Sequence, residues 1–355
     1  MELYVCIMAG GVGSRFWPRS KQRRPKQLIQ IFGHHSMIKD TVNRLEGLVP
    51  NERIFIVTNK VQKTKVMEEL PFIPEANIID EPFGKNTAAC IGLASIIIAK
   101  KNKNAVILTL PADHLIKEKE LFQNTLIKAA EFANKGEGLL TIGIKPTKPE
   151  TGYGYIQIEE ELIENDVHKV LTFAEKPNVS TAERFIESGD FLWNSGMFIW
   201  RVDAILNEIK FLMPELYSGL QEISKSIDDE EYEKVLPAVY GKLKSISIDY
   251  GIMERSKNVY LIKGNFSWND VGSWEAVYEL SEKDNFANAK TGEVYLESTT
   301  GSFIYNPKKF TAVVGVKDLI IIETDDALLI CNRKNAQDVK NVVDYLKMSN
   351  KTDLI

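Results

Sequence analysis

The chain has 355 residues, 44% of them hydrophobic and 26% charged, an ordinary globular composition with room for more than one core. With 44 Lys and Arg against 49 Asp and Glu the net charge is −5, which excludes the broad basic field of a non-specific nucleic-acid binder, so no nucleic-acid partner is expected. Met1 to Gly10 lacks a basic leader and a small-residue cleavage site, and the apolar stretch Ile91 to Ala99 is about half of what a bilayer needs. A soluble, unexported, cytoplasmic chain with no membrane partner is expected. Cys6, Cys90 and Cys331 are odd in number and far apart, with no CxxC spacing, and read as buried free thiols rather than a disulfide framework or zinc site.

Leu3 to Met8 is a short apolar run of strand formers that runs straight into Ala9-Gly10-Gly11-Val12-Gly13, a strand followed by a glycine loop. Ile54 to Val57 and Ala105 to Leu110 look like further strands, and between and after them Thr87 to Lys100 and Leu121 to Ala133 carry helical patterns. This alternation predicts an α/β fold, Rossmann-like, on a mixed, largely parallel sheet with ligands at the carboxyl ends of its strands.

Between Arg15 and Lys26 lie six basic residues and no acidic one. Glycines after a strand expose backbone N–H groups that cradle phosphate oxygens, and Arg15 and Lys26 add full charges, so a polyphosphate is the natural guest. The loop is not a Walker A motif, since no Gly-Lys-Ser/Thr ends it. Nor is it a dinucleotide fingerprint, because Gly11-x-Gly13 is followed by Phe16 where that pattern needs glycine.

Asp113, in Leu110-Pro-Ala-Asp-His114, closes a predicted strand and so falls at the ligand edge, where a lone aspartate is also a common cap or turn residue. Asp270 stands in Trp268-Asn-Asp-Val-Gly272. Two carboxylates converging on phosphate oxygens suit Mg²⁺, which keeps much of its water and takes few protein ligands. The glycine- and aromatic-rich segments Thr151 to Tyr155 and Phe191 to Met197 read as hairpins and loops over a site. Glu175 and Lys176 are neighbours and would point to opposite faces of a strand, so both serve one site only if Pro177 marks a strand end or bend. Glu81 to Thr87 precedes a helix, with Asn86 a candidate N-cap. Asp228 to Glu231 reads as a solvated helix start. Of the four histidines, His34 and His35 fall in a surface turn and only His114 lies near the predicted chemistry, behind the residues that touch ligand.

From about Gly292 to Cys331 the pattern is nearly continuous β, and Val339, Val342, Val343 and Leu346 then make an apolar helix stripe. The expected division is a catalytic domain over 1–288 and a small β module, β-helix-like and closed by a helix, over 289–355. Since the module carries none of the candidate chemical residues, it is expected to pack on the catalytic domain or a second subunit.

Gly10-Gly11-x-Gly13-x-Arg15-x-x-Pro18 with Pro25-Lys26-Gln27 resembles the signature of the sugar-1-phosphate nucleotidylyltransferases, and Phe16-Trp17-Pro18 resembles the mannose-1-phosphate guanylyltransferases among them. The resemblance covers roughly residues 2–285, with the tail also family-like. It implies GMP transfer from GTP to α-D-mannose 1-phosphate, giving GDP-mannose and pyrophosphate. A uridylyl- or thymidylyltransferase of glucose 1-phosphate and a non-catalytic sugar-nucleotide-binding protein are the alternatives. The resemblance implies Mg²⁺ on Asp113 and Asp270, and catalytic roles for these two with Arg15, Lys26 and Lys176. It places the nucleotide at Ala9, Gly10, Gly11, Gly13, Ser14, Arg15, Lys26, Asn86, Thr87 and Asp113, with the Glu81 to Thr87 loop near the base and ribose, and the sugar phosphate at Gly152, Tyr153, Glu175, Lys176, Asn194 and Asp249. Ala174 stands where the family commonly has valine, and Ala89 and Cys90 fall where a proline is common. The chain ends soon after Cys331, so no isomerase domain is expected. A homodimer is left open.

Overall fold

The computed structural model describes residues 1–136, 138–164 and 166–355. The elements in chain order begin with β1 (Leu3–Met8), α1 (Met37–Asn43), β2 (Ile54–Asn59), α2 (Lys60–Glu69), β3 (Ile78–Glu81), α3 (Asn86–Lys101), β4 (Val106–Pro111), β5 (Leu115–Ile116), α4 (Lys119–Ala133) and β6 (Leu139–Ile144). There follow β7 (Gly154–Glu164), β8 (Val167–Glu175), α5 (Val179–Ser188), β9 (Phe191–Arg201), α6 (Val202–Leu212), α7 (Pro214–Ser226), α8 (Tyr232–Tyr240), β10 (Val259–Lys263), β11 (Trp268–Asn269) and α9 (Trp274–Leu280).

Nine strands make one sheet in the order β3-β2-β1-β4-β9-β6-β10-β8-β7. β3, β2, β1 and β4 run parallel, as do β6 and β10, while β9 enters antiparallel between β4 and β6. β1 shows why its run is unbroken: Val5 and Ile7 pack into the core on one face, Tyr4 and Cys6 into the core on the other. Helices α1, α2, α4 and α5 cover the first face and α3, α6, α7 and α8 the second.

Two expectations need correction. Phe191 to Met197 is not a loop over the site but the first part of β9, a central strand paired on both sides; Gly196, with φ +69, and its polar neighbours imitate a turn. Asn86 is not the cap of α3. That position is Lys85, and Asn86 opens the helix at φ +66 with its Oδ1 accepting from Thr87 N at 2.8 Å. The first turn is instead tied to the 246–248 segment, through Ala88 N on Ile246 O at 3.2 Å and Ile248 N on Thr87 Oγ1 at 2.8 Å. The acidic run Asp228 to Glu231 is exposed just before α8, as expected, and Cys6 and Cys90 are buried free thiols, although Cys331 is only half-buried.

The tail holds β12 (Ala289–Thr291), β13 (Val294–Glu297), β14 (Phe303–Tyr305), β15 (Thr311–Val314), β16 (Leu319–Glu323), β17 (Leu328–Asn332) and α10 (Val339–Met348). β12, β14 and β16 stack in parallel, as do β13 and β15. Phe303 pairs with Ile320 and Val294 with Thr311, each seventeen residues on, so the chain coils in a helix of strands that β17 ends by pairing antiparallel. The stripe is as read, with Val339, Val343 and Leu346 buried.

This module shares a core with the basic arm. Phe16 and Trp17 lie in one apolar cluster with Trp274, Phe303, Ile320, Val343 and Leu346. Trp17 Nε1 donates to Leu354 O at 2.8 Å, and Trp274 Nε1 to Trp17 O at 3.1 Å. Among the described residues no helix is long and apolar enough to cross a membrane.

Candidate active site

The carboxyl ends of β1, β3 and β4 open on one cavity of about 490 Å³, closed from the other side by the end of β8, by the middle of β9, by the Asp249 segment and by Asp270. Of the residues expected here it is lined by Ala9, Gly10, Gly11, Asn86, Thr87, Asp113, Gly152, Tyr153, Glu175, Asn194, Asp249 and Asp270. Arg15 and Lys176 line instead a second cavity of about 800 Å³, which shares Gly152, Tyr153 and Asp270 with the first. Gly13, Ser14 and Lys26 line neither of these two.

Gly13 sits at φ +62, and a Cβ there would stand 2.5 Å from the Cβ of Lys26, so only glycine lets the loop close over that lysine. Lys26, 5% exposed, donates to Asp113 Oδ2 at 2.8 Å and to the backbone carbonyl of Asp270 at 2.6 Å. Burial pushes the Asp113 carboxyl up, but the Lys26 charge and hydrogen bond win and hold it below the usual range. Tyr153 donates its hydroxyl to Asp270 Oδ1 at 2.6 Å; burial and the Asp270 charge push that phenol up, so it stays a donor. Gln27 pins the glycine loop, Nε2 donating to Ala9 O at 2.6 Å and to Gly11 O at 3.0 Å. Burial pushes His114 down to about 4, and its neutral ring accepts from Trp268 Nε1 at 3.1 Å.

Two other basic residues of the arm are committed elsewhere. Arg19 lies over the Tyr305 ring at 4.1 Å and Lys21 pairs with Asp326, so both bind the tail rather than a phosphate.

On the opposite wall β8 ends at Glu175, and Lys176 takes φ +50, the bend that lets neighbours serve one region. Lys176 Nζ turns back on Glu175 Oε1 at 2.7 Å. Asn194 Nδ2 donates to Asp249 Oδ1 at 2.9 Å, while its Oδ1 accepts from Gly196 N at 3.1 Å. Burial, then the Glu175 charge, push Asp249 up to about 6 against the pull of the Asn194 bond. A carboxyl whose native pKa lies above its unfolded value of 3.8 favours the fold most when protonated. That contribution is full below about pH 4 and lost as the pH rises through about 6. Asp249→Asn fixes the neutral form, so thermal melts should show the variant matching the wild type near pH 4 and gaining roughly 2–4 °C near pH 8. Equal gains at both values would mean that the burial of this charge is not the cause.

The resemblance sets the Glu81–Thr87 loop near the base and ribose, but sequence reasoning gave the Glu81 side chain itself no role. Glu81 closes β3 as Asp113 follows β4, is 6% exposed, and has its Oε2 so near the loop that a Cβ on Gly10 would stand 3.1 Å away. Tyr240 donates its hydroxyl to Oε1. Burial pushes Glu81 up to about 7, against that hydrogen bond. An acid at the end of a parallel strand was the available signal.

Asp113 and Asp270 are hard oxygen donors facing one cavity at the mouth of a glycine loop, and among the described residues no three His, Cys, Asp or Glu gather into a metal cage. This donor set fits a divalent cation that takes its remaining ligands from phosphate and water. A glycine loop after β1, two carboxylates beside a buried lysine and a polar wall opposite make up this site, and residues 4–286, which carry all of it, match the Nucleotidyl transferase family. Residues 292–346 match the MannoseP isomerase/GMP-like beta-helix domain. The chain is 38% identical to a mannose-1-phosphate guanylyltransferase of Escherichia coli, over 99% of this chain and 77% of that one. With one of Salmonella typhimurium the identity is also 38%, over 99% and 74%. A crystal structure from Thermus thermophilus, described as a mannose-1-phosphate geranyltransferase, superposes with a TM-score of 0.88 at 31% identity, covering 98% of this chain and all of that one. The chain belongs to the mannose-1-phosphate guanylyltransferase family, and it is an enzyme.

Proposed function

We propose that the enzyme transfers GMP from GTP to α-D-mannose 1-phosphate, releasing pyrophosphate and forming GDP-mannose. The observation that carries this reading is one cavity in which Ala9, Gly10 and Gly11 of the glycine loop and Asp113, held from behind by the buried Lys26, face the Glu175, Asn194 and Asp249 wall. A nucleotide on the loop and a hexose phosphate on the wall meet there, with the α-phosphorus next to Asp113 and Asp270.

The sugar phosphate oxygen is already ionised at neutral pH and attacks the α-phosphorus in line, so no protein nucleophile is needed. Catalysis rests on positioning and on charge stabilisation. The loop amides hold phosphate oxygens, Lys26 neutralises charge beside Asp113, and Arg15 meets the distal phosphates. Glu175, Asn194 and Asp249 take the hexose hydroxyls, and Lys176 orients the sugar phosphate from the bend after β8. Asp113 and Asp270 would hold Mg²⁺, whose charge offsets that of the triphosphate during transfer.

Glu81 supplies the choice of base. An ionised carboxylate only accepts hydrogen bonds, and guanine offers two adjacent donors, N1–H and the N2 amino group, on one edge, which neither uracil nor thymine does. We also propose that residues 1–288 form the nucleotidyltransferase domain and 289–355 a C-terminal β module packed on it, and that the enzyme works in the cytoplasm.

The test is pyrophosphate release over a matrix of nucleoside triphosphates and hexose 1-phosphates with MgCl₂. GTP with mannose 1-phosphate is expected to give the highest kcat/KM. A maximum at UTP or dTTP with glucose 1-phosphate would replace the reading with a uridylyl- or thymidylyltransferase, and no release from any pair would leave a binding protein.

A further inference from the structure

The second cavity lies between the catalytic domain and the tail, and the reading above gives its tail side no part in the chemistry. It joins the first cavity at Tyr153 and Asp270, beside the place where the α-phosphorus reacts. Nucleoside and hexose both occupy the first cavity under that reading. The volume left next to Asp270 for the β- and γ-phosphates is the second.

Its charges are unevenly spent. Arg333 is held by Glu275 at 2.6 Å and by Asp318 at 3.6 Å, and Lys148 by Glu279 at 3.0 Å and Glu150 at 3.7 Å. Lys176 is held by Glu175 at 2.7 Å. Among the described residues two lining cations, Arg15 of the basic arm and Lys334 of the tail, have no carboxylate within the 4.0 Å of an ion pair. They come from opposite ends of the chain. Both are anchored through their neighbours: Phe16 is sealed in the core shared with the tail, and the two bonds of Arg333 to Glu275, 2.9 and 2.6 Å long, fix the backbone next to Lys334. Asn332 Oδ1 accepts from Lys334 N at 3.1 Å and holds the same turn. Two unspent cations on a pre-built rim are what a compact polyanion requires.

We propose that Lys334, together with Arg15, binds the β- and γ-phosphates of the incoming nucleotide and the departing pyrophosphate, so that the C-terminal module completes the active site. The inference rests on the nucleotidyl-transfer reading, and it revises the expectation that the tail only packs. Its mark is selectivity. A contact to the leaving group alone should alter pyrophosphate binding and leave the nucleotide sugar untouched.

The experiment runs the full-length enzyme in reverse, from GDP-mannose and pyrophosphate to GTP, for the wild type and for Lys334→Ala, Lys334→Glu and Lys334→Arg. Lys334→Glu is expected to raise KM for pyrophosphate by about tenfold, the scale of one charge-assisted contact, and Lys334→Ala by less. Lys334→Arg should stay near the wild type, and KM for GDP-mannose should hold in all three. A KM for pyrophosphate within twofold of the wild type in Lys334→Glu, or equal rises in both KM values, would overturn the proposal. If the wild type accepts a different nucleotide sugar, the substrate reading fails while the pyrophosphate comparison is made unchanged on that sugar. If it accepts none, calorimetric titration of wild type and Lys334→Glu with pyrophosphate decides, equal affinities refuting the site.

Discussion

Asparagine in place of Asp113 is expected to leave the fold intact and to lower turnover by about 10²-fold or more. The side chain it replaces accepts from Lys26 at 2.8 Å, and an amide oxygen of the same shape can still accept that bond, so neither the loop nor the lysine loses its anchor. The negative charge is what disappears. Because the Lys26 charge outweighs burial and keeps Asp113 ionised below the usual carboxylate range, the wild-type carboxylate is fully charged at any pH suited to the reaction. The loss should therefore be flat across neutral pH rather than confined to its acid side. Turnover measured over a MgCl₂ titration distinguishes the causes: recovery to near-normal rates at saturating Mg²⁺ would remove Asp113 from the metal.

Asp113 was legible in the sequence because a parallel sheet brings ligands to the carboxyl ends of its strands, and Leu110-Pro-Ala-Asp113 announces such an end. The same rule applies to Glu81 at the end of β3. There the following Pro82 and Gly84 draw attention to the loop instead. Asp270 follows a strand of only two residues, too short for any periodicity, so only its place between a glycine turn and a helix-like segment, together with the family resemblance, pointed to it. Asn194 was found for its chemistry and misplaced in structure, because a glycine at positive φ inside a strand has the local composition of a turn.

The basic arm shows a limit of another kind. Six cations within twelve positions and no acid among them read as a local basic patch, yet Lys21 is paired with an acid 305 positions away and Arg19 rests on Tyr305. Local composition carries no record of partners so distant in the chain. The tail's strands and closing helix were read correctly from alternation and from the i, i+3, i+4, i+7 stripe. Its grip on Phe16 and Trp17 depends on tertiary packing that no short window contains.

Glu81→Gln should lower kcat/KM for GTP by roughly 10²-fold while leaving that for UTP within a few-fold, collapsing the selectivity between the two. The glutamine keeps the size of a side chain that is 6% exposed. It presents one acceptor and one donor where two guanine donors need two acceptors, so one N–H meets another N–H in a site with little water. Tyr240 gives a second, independent handle on the same carboxylate. Its hydrogen bond lowers the pKa of Glu81, which burial has raised to about 7, so Tyr240→Phe should raise that pKa further and reduce the ionised fraction at neutral pH. GTP binding by Tyr240→Phe should then be weak near pH 7 and recover as the pH is raised by about two units, whereas Glu81→Gln has no charge to recover and should stay weak throughout. Nucleotide titrations of the three proteins across that range make the comparison. Should Glu81→Gln still prefer GTP to UTP as the wild type does, the base is read elsewhere in the cavity and the buried carboxylate serves only to hold Tyr240 and the glycine loop in place.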